Sequence, residues 1–179
     1  MNIEELFSTK ERIKILTKII YSEKELRVNE TAKKLGLSKG LISKYFEILV
    51  KKSILKKSRT KFIIKDNSLI KSLKIMFNIQ KIDPKIFINN KFVKAVGLYG
   101  SNAKGTNTES SDVDLWIKVE NAEDDKIVEL TSQLRKKIEN VKTLILDNKK
   151  IGLLKKKDPL FYYSLYFGSI ILYGKENEI

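Results

Sequence analysis

The sequence predicts an α+β protein with two domains, and three observations lead to this prediction. The chain has 179 residues, which suits one large domain or two small ones. Its charge is uneven, because residues 1–83 carry 20 basic and 9 acidic side chains while residues 84–179 carry 16 and 13. Apolar residues recur at helical spacing in the first part, and short apolar strands alternate with helices in the second. We expect domains at 1–67 and 84–179, joined by a helix at 68–83.

The composition excludes several kinds of chemistry. The chain has no cysteine and no histidine, so disulfides, thiolate nucleophiles, Cys/His zinc sites and imidazole bases are excluded. Any catalysis must use carboxylates, lysine, hydroxyl groups and a hard metal ion bound through oxygen. No segment has the roughly 20 consecutive apolar residues of a membrane span, and the first residues lack a signal-peptide pattern. We expect a cytoplasmic protein with no membrane partner.

The first domain is predicted to contain helices followed by a pair of strands. Residues 8–11 fit a capping box, and Asn29 and Ser38 are suitable caps for two further helices. Gly36 is expected to end the middle helix, since glycine adopts the left-handed conformation at helix ends. The predicted elements are helices over about 8–22, 29–35 and 38–49, and strands over 54–57 and 61–65.

This order of elements resembles the winged-helix DNA-binding families over residues 8–66. The resemblance implies that the third helix enters the major groove while basic residues of the strand pair contact phosphates. The net charge of +11 over residues 1–83 also favours a nucleic-acid partner, and DNA is favoured. The alternative is a winged helix that docks a protein or forms a homodimer. The residues expected to contact nucleic acid are Ser38, Lys39, Ser43, Lys44, Lys57, Arg59 and Lys61.

The second domain contains the most specific motif of the sequence. The apolar strand Val96–Tyr99 leads into Gly100 and Ser101, and a second strand begins near Asp112. Asp112 and Asp114 are two residues apart on this strand, so their carboxylates project from the same face. Adjacent carboxylates repel each other unless a cation lies between them, and such oxygen ligands suit Mg²⁺. Because a glycine turn can approach a phosphate closely, the combination indicates phosphoryl or nucleotidyl transfer rather than an ordinary turn beside solvated aspartates.

These residues resemble the DNA polymerase β-like nucleotidyltransferase superfamily, in particular its small branch of minimal nucleotidyltransferases. The resemblance covers roughly residues 90–179, and it implies a small mixed-sheet domain. The matching residues are Gly100-Ser101, Ala103, Gly105 and Ser111–Leu115. The further elements expected on this pattern are helices at 123–139 and 158–167 and strands at 143–147 and 169–174.

The resemblance implies a binding site for an NTP, with ATP as the expected nucleotide, and for two Mg²⁺ ions. Gly100, Ser101 and Lys104 would bind the phosphates of the nucleotide. Asp112 and Asp114 would bind the metal ions and act as catalytic carboxylates.

A third carboxylate on a later strand completes the metal site in this superfamily. The expected register of the strand at 143–147 puts Thr143 at that position. Asp147 lies on the same face, about 13 Å further along the strand. Asp147 is the expected third catalytic residue if the strand is shifted or bulged, and Glu139 is a weaker candidate. Otherwise Asp147 begins a turn and the site lacks its third acid.

Two functions of different classes therefore stay open. The first is a Mg²⁺-dependent nucleotidyltransferase that moves a nucleoside monophosphate to an acceptor hydroxyl and binds nucleic acid through its winged helix. Members of the branch that modify a paired toxin protein make a protein acceptor a reasonable expectation. The second is a DNA-binding transcriptional regulator whose nucleotidyltransferase domain is a degenerate nucleotide-binding or dimerisation scaffold.

Overall fold

The computed structural model describes residues 3–175 and 178–179. The chain separates into two compact units, residues 1–74 and residues 75–179. The predicted connecting helix is present as a helix over Ser68–Gln80, and the division between the units falls within it. Among the described residues, no helix is both long enough and apolar enough to cross a membrane.

The first unit has helices followed by a two-stranded antiparallel hairpin, in the predicted order. Side-chain caps start two of these helices, because Thr9 accepts a hydrogen bond from the Arg12 N–H and Ser38 accepts one from the Leu41 N–H. Gly36 ends a third helix with a φ of 66°. The elements are α1 (Glu4–Phe7), α2 (Lys10–Ile19), α3 (Val28–Leu35), α4 (Lys39–Lys51), β1 (Leu55–Ser58), β2 (Lys61–Ile64) and α5 (Ser68–Gln80).

Helix α1 was not predicted, and the segment before α3 also differs from the sequence prediction. Helix α3 begins at Val28, so Asn29 is not its cap, and Arg27 at the cap position makes no side-chain capping bond. Leu26 forms an isolated antiparallel bridge with Phe62 of β2, which extends the hairpin by one backbone pairing. The two differences before α3 have one cause: the backbone is extended at Leu26 and Arg27, directly before the helix.

The second unit is a four-stranded mixed sheet with helices on both faces. The strand order is β5-β4-β3-β6, with β4 and β5 parallel and the other neighbours antiparallel. This agrees with the predicted small mixed sheet. The elements after α5 are α6 (Lys85–Ile88), β3 (Val93–Tyr99), α7 (Gly100–Lys104), β4 (Val113–Val119), α8 (Asp124–Lys137), β5 (Val141–Leu146), α9 (Asn148–Lys157), α10 (Pro159–Gly168) and β6 (Ile170–Tyr173).

Strand β4 shows how the two faces of the sheet are covered. Leu115 and Ile117 are buried in a cluster that includes Leu130 of α8. Trp116, on the other face, is buried with Ile151 of α9 and with side chains of α10. Gly97 of β3 lies opposite Trp116, and a Cβ at this glycine would overlap the indole ring. The centre of the sheet is thus covered on both sides by helices.

Helix α9 was not predicted. The sequence analysis expected no helix or strand between 147 and 158, but residues Asn148–Lys157 form a ten-residue helix. Gly152 lowers the helix propensity of this segment, which obscured the pattern. Burial of Ile151 against the sheet supplies the tertiary packing that the local sequence does not reveal.

Candidate active site

The candidate site lies where β3 ends and β4 begins. The two strands pair with Tyr99 opposite Asp114, so the turn after Tyr99 lies against the first residues of β4. Gly100 stands in this turn with a φ of 68°, a conformation that residues with a Cβ disfavour. A Cβ on Gly100 would also lie 2.7 Å from Oδ2 of Asp114. The glycine backbone and the carboxylate approach each other as closely as the absence of a side chain allows.

The predicted nucleotide-binding residues lie together on α7. Gly100 is the first residue of this helix, and Ser101, which is half-buried, is the second. Lys104 is the last residue and is exposed. The Ser101 carbonyl accepts hydrogen bonds from the N–H groups of Gly105 and Thr106, which closes the helix. All three predicted residues therefore belong to one short segment that starts beside Asp114.

The two aspartates differ in their surroundings. Burial raises the pKa of Asp114 above its ordinary value, and the negative charge of Asp112 raises that pKa further, while Lys142 opposes both effects. The pKa of the Tyr99 phenol is also raised, first by burial and then by the charge of Asp114. Negative charge is thus concentrated at the start of β4, in a place where a cation would be favoured.

A buried asparagine network holds the loop between α7 and the aspartates. Asn78 of α5 donates to the Asn102 carbonyl and to Oδ1 of Asn107, both at 2.9 Å. Asn107 donates to Oδ1 of Asn102 at 3.2 Å, and Asn102 donates to the Asp112 carbonyl at 2.6 Å. Because these buried amides bond to one another, the network fixes the start of β4 relative to α7.

Strand β5 places a lysine beside the carboxylates. In the parallel register Lys142 lies next to Asp114 and Thr143 next to Leu115. Nζ of Lys142 is 2.6 Å from Oδ2 of Asp112, and this hydrogen bond is the main reason why the pKa of Lys142 is raised. The prediction that Thr143 faces the site is wrong, because Thr143 shares the face of Leu115 and lies on the opposite side of the sheet.

Asp147 is remote from the carboxylate pair, which contradicts its predicted catalytic role. Leu146 pairs with Lys118, so Asp147 lies level with the other end of β4, about 17 Å from Asp114 at the usual strand rise. Its Oδ1 accepts a hydrogen bond of 2.6 Å from the Lys150 N–H, and Asp147 is the N-cap of α9. The expectation that the site lacks Asp147 therefore agrees with the structure, although Asp147 caps a helix and does not begin a turn.

The donor set fits a hard divalent cation held partly by substrate. Asp112 and Asp114 supply oxygen ligands, and Mg²⁺ is commonly bound by one or two carboxylates together with phosphates and water. Within residues 3–175 and 178–179, no three Asp, Glu, His or Cys residues are grouped so that they could hold a metal ion. Neither Glu139 nor Asp147 completes such a group.

The residues predicted to contact nucleic acid all lie in the first unit, on α4 and the hairpin. Ser38 caps α4, and Lys39, Ser43 and Lys44 follow it with exposed side chains. Arg59 is exposed at the tip of the hairpin with a φ of 53°.

Two hairpin lysines have acidic partners in the same unit. Lys57 is 2.7 Å from Glu47 of α4 and lies over the ring of Phe62. Lys61 forms an ion pair with Glu25. These acids would compete with phosphate groups for the two lysines.

The chain matches the family described as polymerase beta, nucleotidyltransferase, over residues 80–178. The match spans more than half of the chain, and the chain belongs to this family. Its second unit is accordingly an enzyme domain of the nucleotidyltransferase class. No curated protein matches the sequence significantly.

Three solved structures are similar to the chain at a greater distance. A toxin-antitoxin structure with AMP-PNP has 20% identity and a TM-score of 0.41, over 55% of this chain and 74% of that one. A mutant of the toxin-antitoxin MntA-HpeT has 16% identity and a TM-score of 0.37, over 51% and 69%. A Sulfolobus solfataricus protein described as a nucleotidyltransferase has 16% identity and a TM-score of 0.39, over 63% and 93%. Such distant likenesses transfer neither partners nor substrates to this chain.

Lys142 and the three asparagines were missed by sequence reasoning. Strand β5 has apolar residues at alternating positions on both of its faces, since Leu144 packs on one side and Ile145 on the other. Alternation therefore does not reveal which face Lys142 occupies. The asparagines are far apart along the chain, and each resembles an ordinary polar residue until the fold brings them together.

Proposed function

We propose that the second unit transfers a nucleoside monophosphate from an NTP to an acceptor hydroxyl, with Mg²⁺ as the cofactor. The observation that carries the proposal is the contact geometry at Gly100. This glycine has a left-handed backbone and leaves no space for a side chain beside Asp114. Such a turn brings backbone N–H groups and a carboxylate together, as recognition of a metal-bound phosphate requires.

The residues of the site take separate roles in this proposal. Gly100, Ser101 and Lys104 bind the phosphates of the NTP, while Asp112 and Asp114 bind the cation. The cation, when bound, neutralises charge on the triphosphate and on the leaving pyrophosphate. The acceptor oxygen forms a bond to the α-phosphorus, the bond from that phosphorus to pyrophosphate breaks, and the hydroxyl proton passes to solvent water. With the phosphates held in this way, positioning and electrostatics supply most of the rate increase.

The test is transfer of label from α-labelled ATP, CTP, GTP and UTP to components of a cell extract in the presence of Mg²⁺. The wild-type chain is expected to label a protein or RNA band. Asp112→Asn should abolish the labelling because it removes one carboxylate of the pair. Asp125→Asn, which alters an exposed aspartate of α8, is the matched control and should label normally. Equal labelling by the Asp112→Asn protein would contradict the proposal.

We also propose that the first unit is a winged helix that binds DNA. What supports this is its basic surface, with Lys39, Lys44 and Arg59 exposed on α4 and the hairpin. A groove of about 640 Å³ between α3, α4 and the hairpin is lined by Arg27, Ser43 and Arg59 among others. Electrophoretic mobility shifts with duplex DNA test the proposal, and the absence of any binding at low salt would contradict it.

The regulator alternative keeps one supporting observation: among the described residues, no third carboxylate is grouped with Asp112 and Asp114. If the second unit is only a nucleotide-binding scaffold, the wild-type chain should bind an NTP but transfer no label. Asp112→Asn would then leave DNA binding and regulation unchanged, while Lys44→Ala would disturb both.

A further inference from the structure

Lys142 brings a positive charge into the carboxylate site, and this charge belongs to the protein itself. We propose that the ammonium group of Lys142 takes the place of one divalent cation, so that the site binds a single Mg²⁺ ion instead of two. The inference rests on the proposed function, because it concerns how the same site holds its cofactor.

The geometry places Lys142 within the site. It is adjacent to Asp114 in the parallel register, and its side chain lies on the face from which Asp112 and Asp114 project. The distance of 2.6 Å from Nζ to Oδ2 of Asp112 means that the ammonium already occupies one coordination direction of this carboxylate. A second divalent cation could bind this oxygen only by displacing the lysine.

The charge of the site leads to the same conclusion. Two divalent cations 3.5–4 Å apart repel each other strongly and need several anionic ligands. This site offers two carboxylates and one ammonium, which leaves a single net negative charge. One divalent cation brings the site to one net positive charge, whereas two would bring it to three. A single ion is therefore the occupancy that the protein groups support in the absence of nucleotide.

The exposure of the pair makes the fold insensitive to the lysine. The Lys142 side chain is 67% exposed and that of Asp112 is 41% exposed, so solvent screens their attraction and the ion pair contributes little to stability. Lys142 can consequently be replaced without disturbing the fold. Its substitution should alter metal binding far more than it alters unfolding.

The test is a titration of the full-length chain with Mn²⁺ in the absence of nucleotide. The electron paramagnetic resonance signal of free Mn²⁺ measures how much of the ion is bound. The wild-type chain should bind one ion. Lys142→Ala should bind this ion up to about fivefold more tightly, because the repulsion between the ammonium group and the ion is lost and exposed charge pairs have effects of this size. Lys142→Asp should bind a second ion, and Lys142→Arg should behave as the wild type does.

Two controls separate this inference from the proposed function. Lys136→Ala removes an exposed lysine of α8 and should leave Mn²⁺ affinity unchanged, while Asp112→Asn should abolish tight binding. Two Mn²⁺ ions on the wild-type chain, or equal affinities for wild type and Lys142→Ala, would overturn the inference while leaving nucleotidyl transfer intact. Failure of the proposed function would instead appear as normal Mn²⁺ binding without any transfer of label.

Discussion

Gly100 is the residue at which backbone conformation and site chemistry meet. Its φ of 68° costs a residue with a Cβ about 1–2 kcal/mol, and the Asp114 carboxylate occupies the space that a methyl group would need. We predict that Gly100→Ala lowers the free energy of unfolding by about 1–2 kcal/mol. Transfer of label should fall by about 100-fold or more, since small displacements of reacting groups have effects of that size.

Gly152→Ala is the matched control for this substitution. A Cβ on Gly152 meets no atom within 4 Å, and the residue lies inside α9. Alanine there should raise the free energy of unfolding by about 0.5–1 kcal/mol and leave transfer unchanged. Chemical denaturation and the labelling assay measure both quantities. A Gly100→Ala protein with full transfer would show that the close approach to Asp114 has no part in catalysis.

Asp114 leads to a prediction about pH. Burial and the charge of Asp112 raise its pKa in the folded chain, so ionisation of Asp114 favours the unfolded state. The resulting penalty is absent below the unfolded pKa of about 4, grows as the pH rises through the folded pKa, and is complete at higher pH. We therefore predict that Asp114→Asn unfolds at a higher denaturant concentration than wild type at pH 7, and that this gain disappears below about pH 4.

The stabilised Asp114→Asn protein should at the same time lose transfer of label. Asp125→Asn is the comparison, because it removes an exposed carboxylate from the first turn of α8, where negative charge is favourable. It should bring no gain in stability at pH 7. A loss of stability in Asp114→Asn at neutral pH would mean that the carboxylate is stabilised by its surroundings, contrary to the sign of its pKa shift.

Asp147 stabilises helix α9 as its N-cap. It caps α9 through the hydrogen bond to the Lys150 N–H. We predict that Asp147→Ala lowers the free energy of unfolding by about 1 kcal/mol and that Asp147→Asn restores most of it, because asparagine is an equally good N-cap. Both variants should transfer label normally per folded molecule.

The Asp147→Asn protein also tests whether Asp147 has a catalytic role. A catalytic carboxylate does not tolerate the amide, whereas a cap does. If Asp147→Asn kept its stability and lost transfer to the same extent as Asp112→Asn, Asp147 would have to lie near the carboxylate pair during the reaction.

Strand β5 explains why the third position of the site could not be assigned from sequence. A shift of one residue in a strand exchanges its two faces, and the apolar pattern of this strand does not favour either choice. The parallel pairing of Lys142 with Asp114 is a long-range contact, set by the packing of helices on both sides of the sheet. The sequence analysis chose Thr143, and the structure has Lys142 at the site.

The net charge of the whole molecule is unevenly distributed along the chain. Residues 1–83 hold most of the net charge of +14, so DNA binding by the full chain should weaken steeply as salt concentration rises. We predict that Lys44→Ala and Arg59→Ala each weaken binding for all sequences and reduce the slope of log K against log salt by about 1. Fluorescence anisotropy with a labelled duplex over a range of salt concentrations measures this slope.

Lys136→Ala removes the same charge from the second unit and is the control for these two substitutions. Its slope should equal that of the wild-type chain. If all three variants changed the slope equally, DNA would be responding to net charge alone, and the assignment of a DNA-binding face to α4 and the hairpin would be wrong.

Features that depend on neighbouring residues could be predicted from the sequence. Caps and helix ends at Ser38 and Gly36 were predicted, as were the glycine turn at Gly100 and the aspartates two residues apart on one strand. These features follow from local backbone preferences and from the period of a strand. The mixed sheet and the nucleotidyltransferase class were implied by the resemblance of these residues to the nucleotidyltransferase superfamily.

Contacts between residues far apart in the sequence became evident from the tertiary structure. It placed Lys142 on Asp112, separated Asp147 from the carboxylates, and joined Asn78 to the loop before β4. Each of these contacts depends on strand register or on helix packing between residues far apart in the chain. Because register is set by burial of both sheet faces together, no local pattern in the sequence contains that information.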